Sequence, residues 1–161
     1  MPRKYTLLLI TVGVVVLCDQ ASKLYVDAVM WPHQSITVVE NYFDITYVRN
    51  PGGAFGLFAQ AGRRIVRPAL LGLSALAVVI ILWIYHGTPT DRLLVRLAFS
   101  LVLGGAIGNL IDRIRFDAVI DFLDVHWYHY HWPAFNVADA AITVGVTLLC
   151  WDLLFGKSAK R

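Results

Sequence analysis

Four apolar stretches, each close to the length of a bilayer span, occupy most of this chain of 161 residues. They run from about Tyr5 to Val29, Ile65 to Tyr85, Leu93 to Ile111 and Phe135 to Phe155. A helix needs roughly 20 apolar residues to cross a hydrocarbon core of about 30 Å, and each stretch approaches that length. The second has no formal charge between Arg67 and His86, whereas a soluble helix that long would carry a polar stripe at helical period. Only 16% of the residues are charged against 58% hydrophobic, and mean hydropathy is +0.62. The expected fold is an all-α membrane bundle of four transmembrane helices, one integral membrane domain over residues 1–161. Its spans are placed near 5–29, 65–85, 93–112 and 135–155, with outer loops at 30–64 and 113–134.

The first stretch reads as an uncleaved span. A signal peptide needs small residues before its cut, but bulky Val16 and Leu17 precede Cys18, and apolar character resumes after Lys23. Cys18 and Cys150 both lie within spans, where a thiol behaves as a small apolar residue. Neither a disulfide framework nor a metal site built on them is expected.

Four spans put both termini on one side. Arg3 and Lys4 precede the first span, Arg92 sits in the short central loop, and Lys157, Lys160 and Arg161 follow the last. An excess of Lys and Arg marks cytoplasmic segments, so both termini and the central loop are expected in the cytoplasm. Arg49, Arg63, Arg64, Arg67, Arg113 and Arg115 near the other two loops weaken the count without reversing it. A net charge of +3 suits contact with anionic headgroups and calls for no nucleic acid.

With that topology four aspartates, Asp19, Asp112, Asp121 and Asp139, gather near the outer membrane face. Asp19 lies fourteen residues beyond Tyr5 along an outward span, roughly 21 Å of travel at 1.5 Å per residue. Ionisable groups at membrane depth are expensive and mark function. Residues three or four apart share a helix face, so Asn109 aligns with Asp112 and Arg113, and Asn136 with Asp139. Gly104 and Gly108 on the third span, and Ala141 and Gly145 on the fourth, let backbones approach closely in lipid. That packing would bring the two polar faces together. Asp112 is a candidate partner for an arginine.

Asp121 lies between apolar neighbours in Val119-Ile120-Asp121-Phe122-Leu123. The segment is either an amphipathic element at the interface or a stretch that dips inward and delivers Asp121 to Asp139. Asp124 reads as an ordinary solvated loop acid. Two carboxylates close together in low dielectric cannot both ionise easily, and the pair titrates as a unit. Such a pair supplies a base to activate water and an acid to protonate a leaving amine. Ser22, Ser74 and Ser100 have no histidine nearby in sequence, which disfavours a covalent nucleophile. His126, His129 and His131 do not follow the H-E-x-x-H spacing. Alternating with Trp127, Tyr128, Tyr130 and Trp132, they read as an aromatic belt at headgroup level.

The long outer loop holds two β-prone runs, Ile36–Val39 and Phe43–Val48, joined by Glu40-Asn41. A small extracytoplasmic hairpin or cradle follows. After it comes Asn50-Pro51-Gly52-Gly53, whose glycines allow tight turns. Ala54–Gln60 is a short apolar piece suited to lying on the membrane. Asn50 is either a turn cap or a donor to substrate backbone.

Taken in order, Asp19-Gln20-Ala21-Ser22-Lys23, Asn50-Pro51-Gly52-Gly53-Ala54-Phe55, Gly104-Gly105-Ala106-Ile107-Gly108-Asn109-Leu110-Ile111-Asp112-Arg113, Val119-Ile120-Asp121-Phe122 and Phe135-Asn136-Val137-Ala138-Asp139-Ala140-Ala141-Ile142 are motifs of a known family. The chain resembles the bacterial lipoprotein signal peptidases (type II signal peptidases) along nearly its whole length. Gly53 stands where members of that family often have alanine. The resemblance implies an intramembrane aspartic endopeptidase of the bacterial cytoplasmic membrane, without cofactor or metal. It would cut diacylglyceryl-modified prolipoproteins just before the lipid-modified cysteine, acting as a monomer among membrane lipids. By the same resemblance Asp121 and Asp139 are catalytic, and Asp19, Lys23, Asn50, Gly52, Asn109, Asp112, Arg113 and Asn136 support the site or hold substrate. A transporter with acids lining an ion path is the alternative from another class. It predicts polar residues through the full membrane depth, while the cytoplasmic halves offer little beyond Thr6, Thr11, Arg96, Ser100, Thr147 and Asp152.

Overall fold

The computed structural model describes residues 3–52 and 63–156. Gly53 and the apolar piece Ala54–Gln60 lie outside the described residues, as do Lys157, Lys160 and Arg161. Among the described residues four long helices form, α1 (Arg3–Val29), α2 (Arg63–Gly87), α3 (Leu93–Phe116) and α4 (Val137–Phe155). By length and composition all four can cross a membrane. Strands β1 (Ser35–Val39), β2 (Phe43–Asn50), β3 (Val119–Trp127) and β4 (Tyr130–His131) lie between α1 and α2 and between α3 and α4.

The helix bounds differ from the expected spans where polar residues continue a helix that hydropathy alone would end. α3 runs past Ile111 through Arg113 and Arg115, and Asp117 closes it in the left-handed conformation at φ 57°. Arg113 is therefore a helical residue, not a loop residue. At the other boundary, Phe135 precedes α4 and Asn136 caps it. The Asn136 side chain accepts from the Asp139 N–H while the Asp139 side chain accepts from the Asn136 N–H, a reciprocal capping box.

α3 is the centre of the bundle and packs on each of the other three helices. Its small residues divide between two neighbours. A Cβ at Gly105 would fall 2.3 Å from Ala138 O of α4, while one at Gly104 would fall 2.8 Å from Val15 of α1. A Cβ at Gly108 would meet Asp19 Oδ2 at 2.5 Å. The expected close approach of α3 and α4 is present, carried by Gly105 and Gly145, but Gly104 serves the α1 contact instead. One small cluster of buried apolar residues, Leu8, Tyr85 and Leu103, lies toward the termini. Another, Val26, Met30, Tyr47, Ile120 and Phe122, joins the helices to the sheet. Outward-facing Leu9, Ile10, Leu17, Leu73, Val79 and Leu153 are exposed, as lipid-facing side chains are.

The turn at Glu40-Asn41 joins β1 and β2, with Asn41 at φ 66°. The hairpin is half of a larger antiparallel sheet of order β1-β2-β3-β4. β3 is the element that sequence reading left open between an interfacial and a dipping segment. Its alternation was obscured because its first four residues, Val119 to Phe122, are all buried. Asp124 is correspondingly not a solvated loop acid. It lies on β3 opposite Asp44 of β2 and accepts from His131 Nδ1 at 3.0 Å.

Candidate active site

Three separate chain segments meet at the end of the bundle that carries the sheet. β2 pairs with β3 so that Val48 lies opposite Asp121 and Asn50 opposite Val119. Phe135 then returns to β3, donating its N–H to Leu123 O at 3.0 Å and accepting from Leu123 N–H at 2.8 Å. That bridge sets Asn136, the next residue, beside Asp121. The start of α4 thereby delivers Asp139 to the same place.

The two acids are joined through Asn136. Its Nδ2 donates to Asp121 Oδ1 at 2.7 Å, and its backbone N–H donates to Asp139 Oδ2 at 3.3 Å. Asn50 Nδ2 donates to Asp121 Oδ2 at 3.0 Å, and Asn109 Nδ2 to Asp139 Oδ1 at 2.8 Å. Each of the four carboxylate oxygens thus accepts from an amide. Asp121 is only 3% exposed, whereas Asp139 is half-buried. Burial pushes the Asp121 carboxyl up to about 6, aided by the nearby Asp139 charge and opposed by the Asn50 and Asn136 hydrogen bonds. The two acids therefore differ in environment, one sequestered and one open.

Asn50 is at once a turn residue and a site residue. Its Oδ1 accepts the Gly52 N–H at 3.0 Å, leaving Nδ2 to face Asp121. Gly52 holds φ +101° to make that turn, a conformation glycine adopts without strain.

Behind the acids lies a buried ionic cluster. Lys23 Nζ donates to Asp19 Oδ2 at 2.9 Å, to Asp112 Oδ2 at 2.9 Å and to Asn109 Oδ1 at 3.1 Å. Asp112 is thus paired with a lysine and not with an arginine, because α1 places Lys23 one turn above Asp19 and directly against α3. Asp112 Oδ2 also accepts the Ile120 N–H at 3.1 Å, fixing the start of β3. Asp19 Oδ1 accepts the Ala138 N–H at 2.9 Å, fixing the first turn of α4. The Arg113 side chain instead donates from Nη1 to its own helix at Asn109 O, 3.4 Å away. Its Nε is buried with no hydrogen-bond partner among the described residues.

Two groups escaped sequence reading. Gln20 Nε2 donates to Asp112 Oδ1 at 2.9 Å, Asp19 Oδ2 at 3.1 Å and Gly108 O at 3.2 Å. An amide inside an apolar span, next to Asp19, was the available signal. The second group ties the sheet to α1. Tyr47 donates its hydroxyl proton to Asp27 Oδ1, and Arg49 donates from Nε to Tyr47 Oη at 2.7 Å and from Nη2 to Asp27 Oδ1 at 2.7 Å. Burial, then the bond to Asp27, pushes the Tyr47 hydroxyl above its ordinary range, and the bonds to Tyr47 and Asp27 raise Arg49. The histidines lie away from the acids. His126 stacks on His131 with ring centroids 4.5 Å apart, while Trp127, Tyr130 and Trp132 are exposed.

Comparison with known proteins finds relatives along nearly the whole chain. Residues 11–155 match the family model described as signal peptidase (SPase) II. A lipoprotein signal peptidase of Syntrophotalea carbinolica is 51% identical over 146 residues, covering 91% of this chain and 89% of that one. One from Syntrophus aciditrophicus is 45% identical over 154 residues, covering 96% of each. A solved structure, described as a bacterial membrane enzyme structure by the in meso method at 2.3 Å resolution, superimposes with TM-score 0.82 at 28% identity. That match covers 96% of this chain and 91% of the other.

Proposed function

Because the chain belongs to the signal peptidase II family, we propose that Asp121 and Asp139 are the catalytic pair with which it cleaves its substrates. Membership makes it an aspartic-type protease that processes prolipoproteins, a multi-pass membrane enzyme. The transporter alternative finds no support among its relatives. The observation that carries the catalytic assignment is the bridging of both carboxylates by Asn136, with Asp121 buried and Asp139 half-open.

In this reading the half-open Asp139 is the base. It takes a proton from water as the oxygen attacks the scissile carbonyl, and Asp121 gives its proton to the carbonyl oxygen. On collapse of the tetrahedral diol the C–N bond breaks, Asp139 gives its proton to the leaving amine, and Asp121 takes one back from a diol hydroxyl, restoring both acids. Asn50, which donates to Asp121, and Arg113, whose guanidinium lies within electrostatic reach of both acids, are the candidates to hold substrate carbonyls. The amine released is that of the lipid-modified cysteine, whose diacylglyceryl chains lie in the bilayer and set the scissile bond at headgroup level. Lys4 and Arg92 sit at the opposite end of the bundle from the acids, where Lys4 caps the His86 and Thr88 carbonyls and Arg92 pairs with Asp152. That supports cytoplasmic termini and an active site toward the outer face of the bacterial inner membrane. The enzyme acts as a monomer surrounded by lipid.

The direct test is cleavage by purified protein in detergent. A diacylglyceryl-modified prolipoprotein peptide should be cut immediately before the modified cysteine, the unmodified peptide should resist, and a chelator should leave the rate unchanged. Equal turnover of the two peptides, or loss of activity on chelation, would overturn this reading.

The pH dependence follows from Asp121. Its folded value, about 6, exceeds the ordinary carboxylate value of 3.8, so the proton it must donate is lost as pH rises through about 6. The alkaline limb of kcat/KM is expected there. Asn50 stabilises the ionised form, so Asn50→Ala should move that limb to higher pH. A limb that stays fixed or moves down would detach Asn50 from Asp121.

A further inference from the structure

Three asparagines face the two acids, and a different donor sets the sense of each amide. The Gly52 N–H holds the Asn50 oxygen, and the Asp139 N–H holds the Asn136 oxygen at 2.9 Å. Both are backbone groups that come with a turn and a helix cap. Asn109 is held instead by a side-chain cation from another helix.

Lys23 is 1% exposed, and its ammonium has three protons and no acceptor capacity. They go to Asp19, Asp112 and Asn109 Oδ1. Asn136 Nδ2 lies 3.3 Å from the same Asn109 oxygen. Were the Asn109 amide reversed, its NH₂ would face these two donors. Its carbonyl oxygen would then face Asp139 Oδ1, now 2.8 Å from Nδ2. Donor would oppose donor and acceptor would oppose acceptor, in a site where unpaired polar groups are costly.

We propose that Lys23 is a positioning residue for the peptidase reaction: from inside the bundle, beyond reach of substrate, it orients the Asn109 amide so that a donor meets the Asp139 carboxylate. This rests on the assignment of Asp139 as catalytic and deepens it. The charged groups that contact Asn109 are Lys23 from α1, Arg113 from α3 and Asp139 from α4; Asp19 and Asp112 reach it through Lys23, and Asp121 of β3 through Asn136. Among the described residues, Lys23 is the one cation that donates to the Asn109 side-chain oxygen; Arg113 reaches only the Asn109 backbone carbonyl.

The experiment measures kcat and KM for Lys23→Met, Asn109→Ala and the double variant on the lipid-modified peptide, corrected for folded fraction. Lys23→Met should lower kcat on the order of 10-fold to 100-fold, the scale of a misaimed catalytic group. KM should stay within about 2-fold, since Lys23 cannot touch substrate. In the Asn109→Ala background the further loss of Lys23 should change kcat little, because both changes remove one interaction. Lys23→Met leaves Asp19 and Asp112 opposed and buried, so the same cycle is run with Lys23→Met/Asp112→Asn, which removes one charge of each sign. Undiminished kcat in a less stable protein would reduce Lys23 to a structural residue. Losses that multiply independently, or that appear in KM, would equally overturn the proposal. Failure of the underlying assignment is distinguishable, since Asp139→Asn would then still turn over.

Discussion

Asp121→Asn and Asp139→Asn should each abolish prolipoprotein cleavage, lowering kcat by on the order of 10⁴-fold, the upper range for a general acid or base. Neither should unfold the protein. Asparagine is isosteric with aspartate, and at position 121 it removes a carboxylate whose ionised form burial already disfavours. One of the two donors, Asn50 or Asn136, then loses its acceptor, a cost of about 1–3 kcal/mol partly offset by the relief of desolvation. At position 139 the environment is half-open, so water can satisfy what the amide does not. Single-turnover cleavage combined with thermal unfolding in detergent separates the two effects. Turnover within tenfold of the parent in either variant would sink the assignment of that acid, whatever its stability.

How much of this site could be read in advance depends on whether its partners are local. The Asn136–Asp139 pairing was legible because three residues on a helix fix a geometry, and the capping box realises it. The gathering of Asp19, Asp112 and Asp139 followed from counting residues along apolar spans. Asp121 was the difficult acid. Nothing local says that Val119–Trp127 pairs with β2, some seventy residues earlier, because strand pairing is decided by burial and by distant partners. Asn50 was read as either a turn cap or a donor to substrate backbone; its Oδ1 does accept within the turn, while its Nδ2 donates to Asp121, a partner that spacing alone could not indicate. Lys23 sits one helical turn after Asp19, so that ion pair was available from spacing. Its bonds to Asp112 and Asn109 were not, because they depend on how closely α1 and α3 approach at Gly104 and Gly108. The family motifs named the residues; only the packing shows which atom each one holds.

Asp19→Ala should be among the most damaging substitutions outside the two proposed catalytic acids, removing roughly 2–4 kcal/mol of stability together with most activity. Asp19 is fully buried and is the acceptor for three groups, Lys23, Gln20 and the Ala138 N–H. Truncation does not strand a charge, because Lys23 keeps Asp112. What it strands is the Ala138 N–H, in the first turn of α4, one residue before Asp139. The same change therefore loosens the helix end that aims the Asp139 carboxylate, and kcat should fall in the fraction that remains folded. Arg67→Ala gives the contrast. Arg67 pairs with Asp117 across side chains that are 60% and 45% exposed, and exposed pairs contribute about 0–1 kcal/mol. Thermal unfolding in one detergent should rank the two variants far apart. If Asp19→Ala unfolds no earlier than Arg67→Ala, Asp19 does not hold α4 in place, and the alignment of Asp139 must come from the capping box and Asn109 alone.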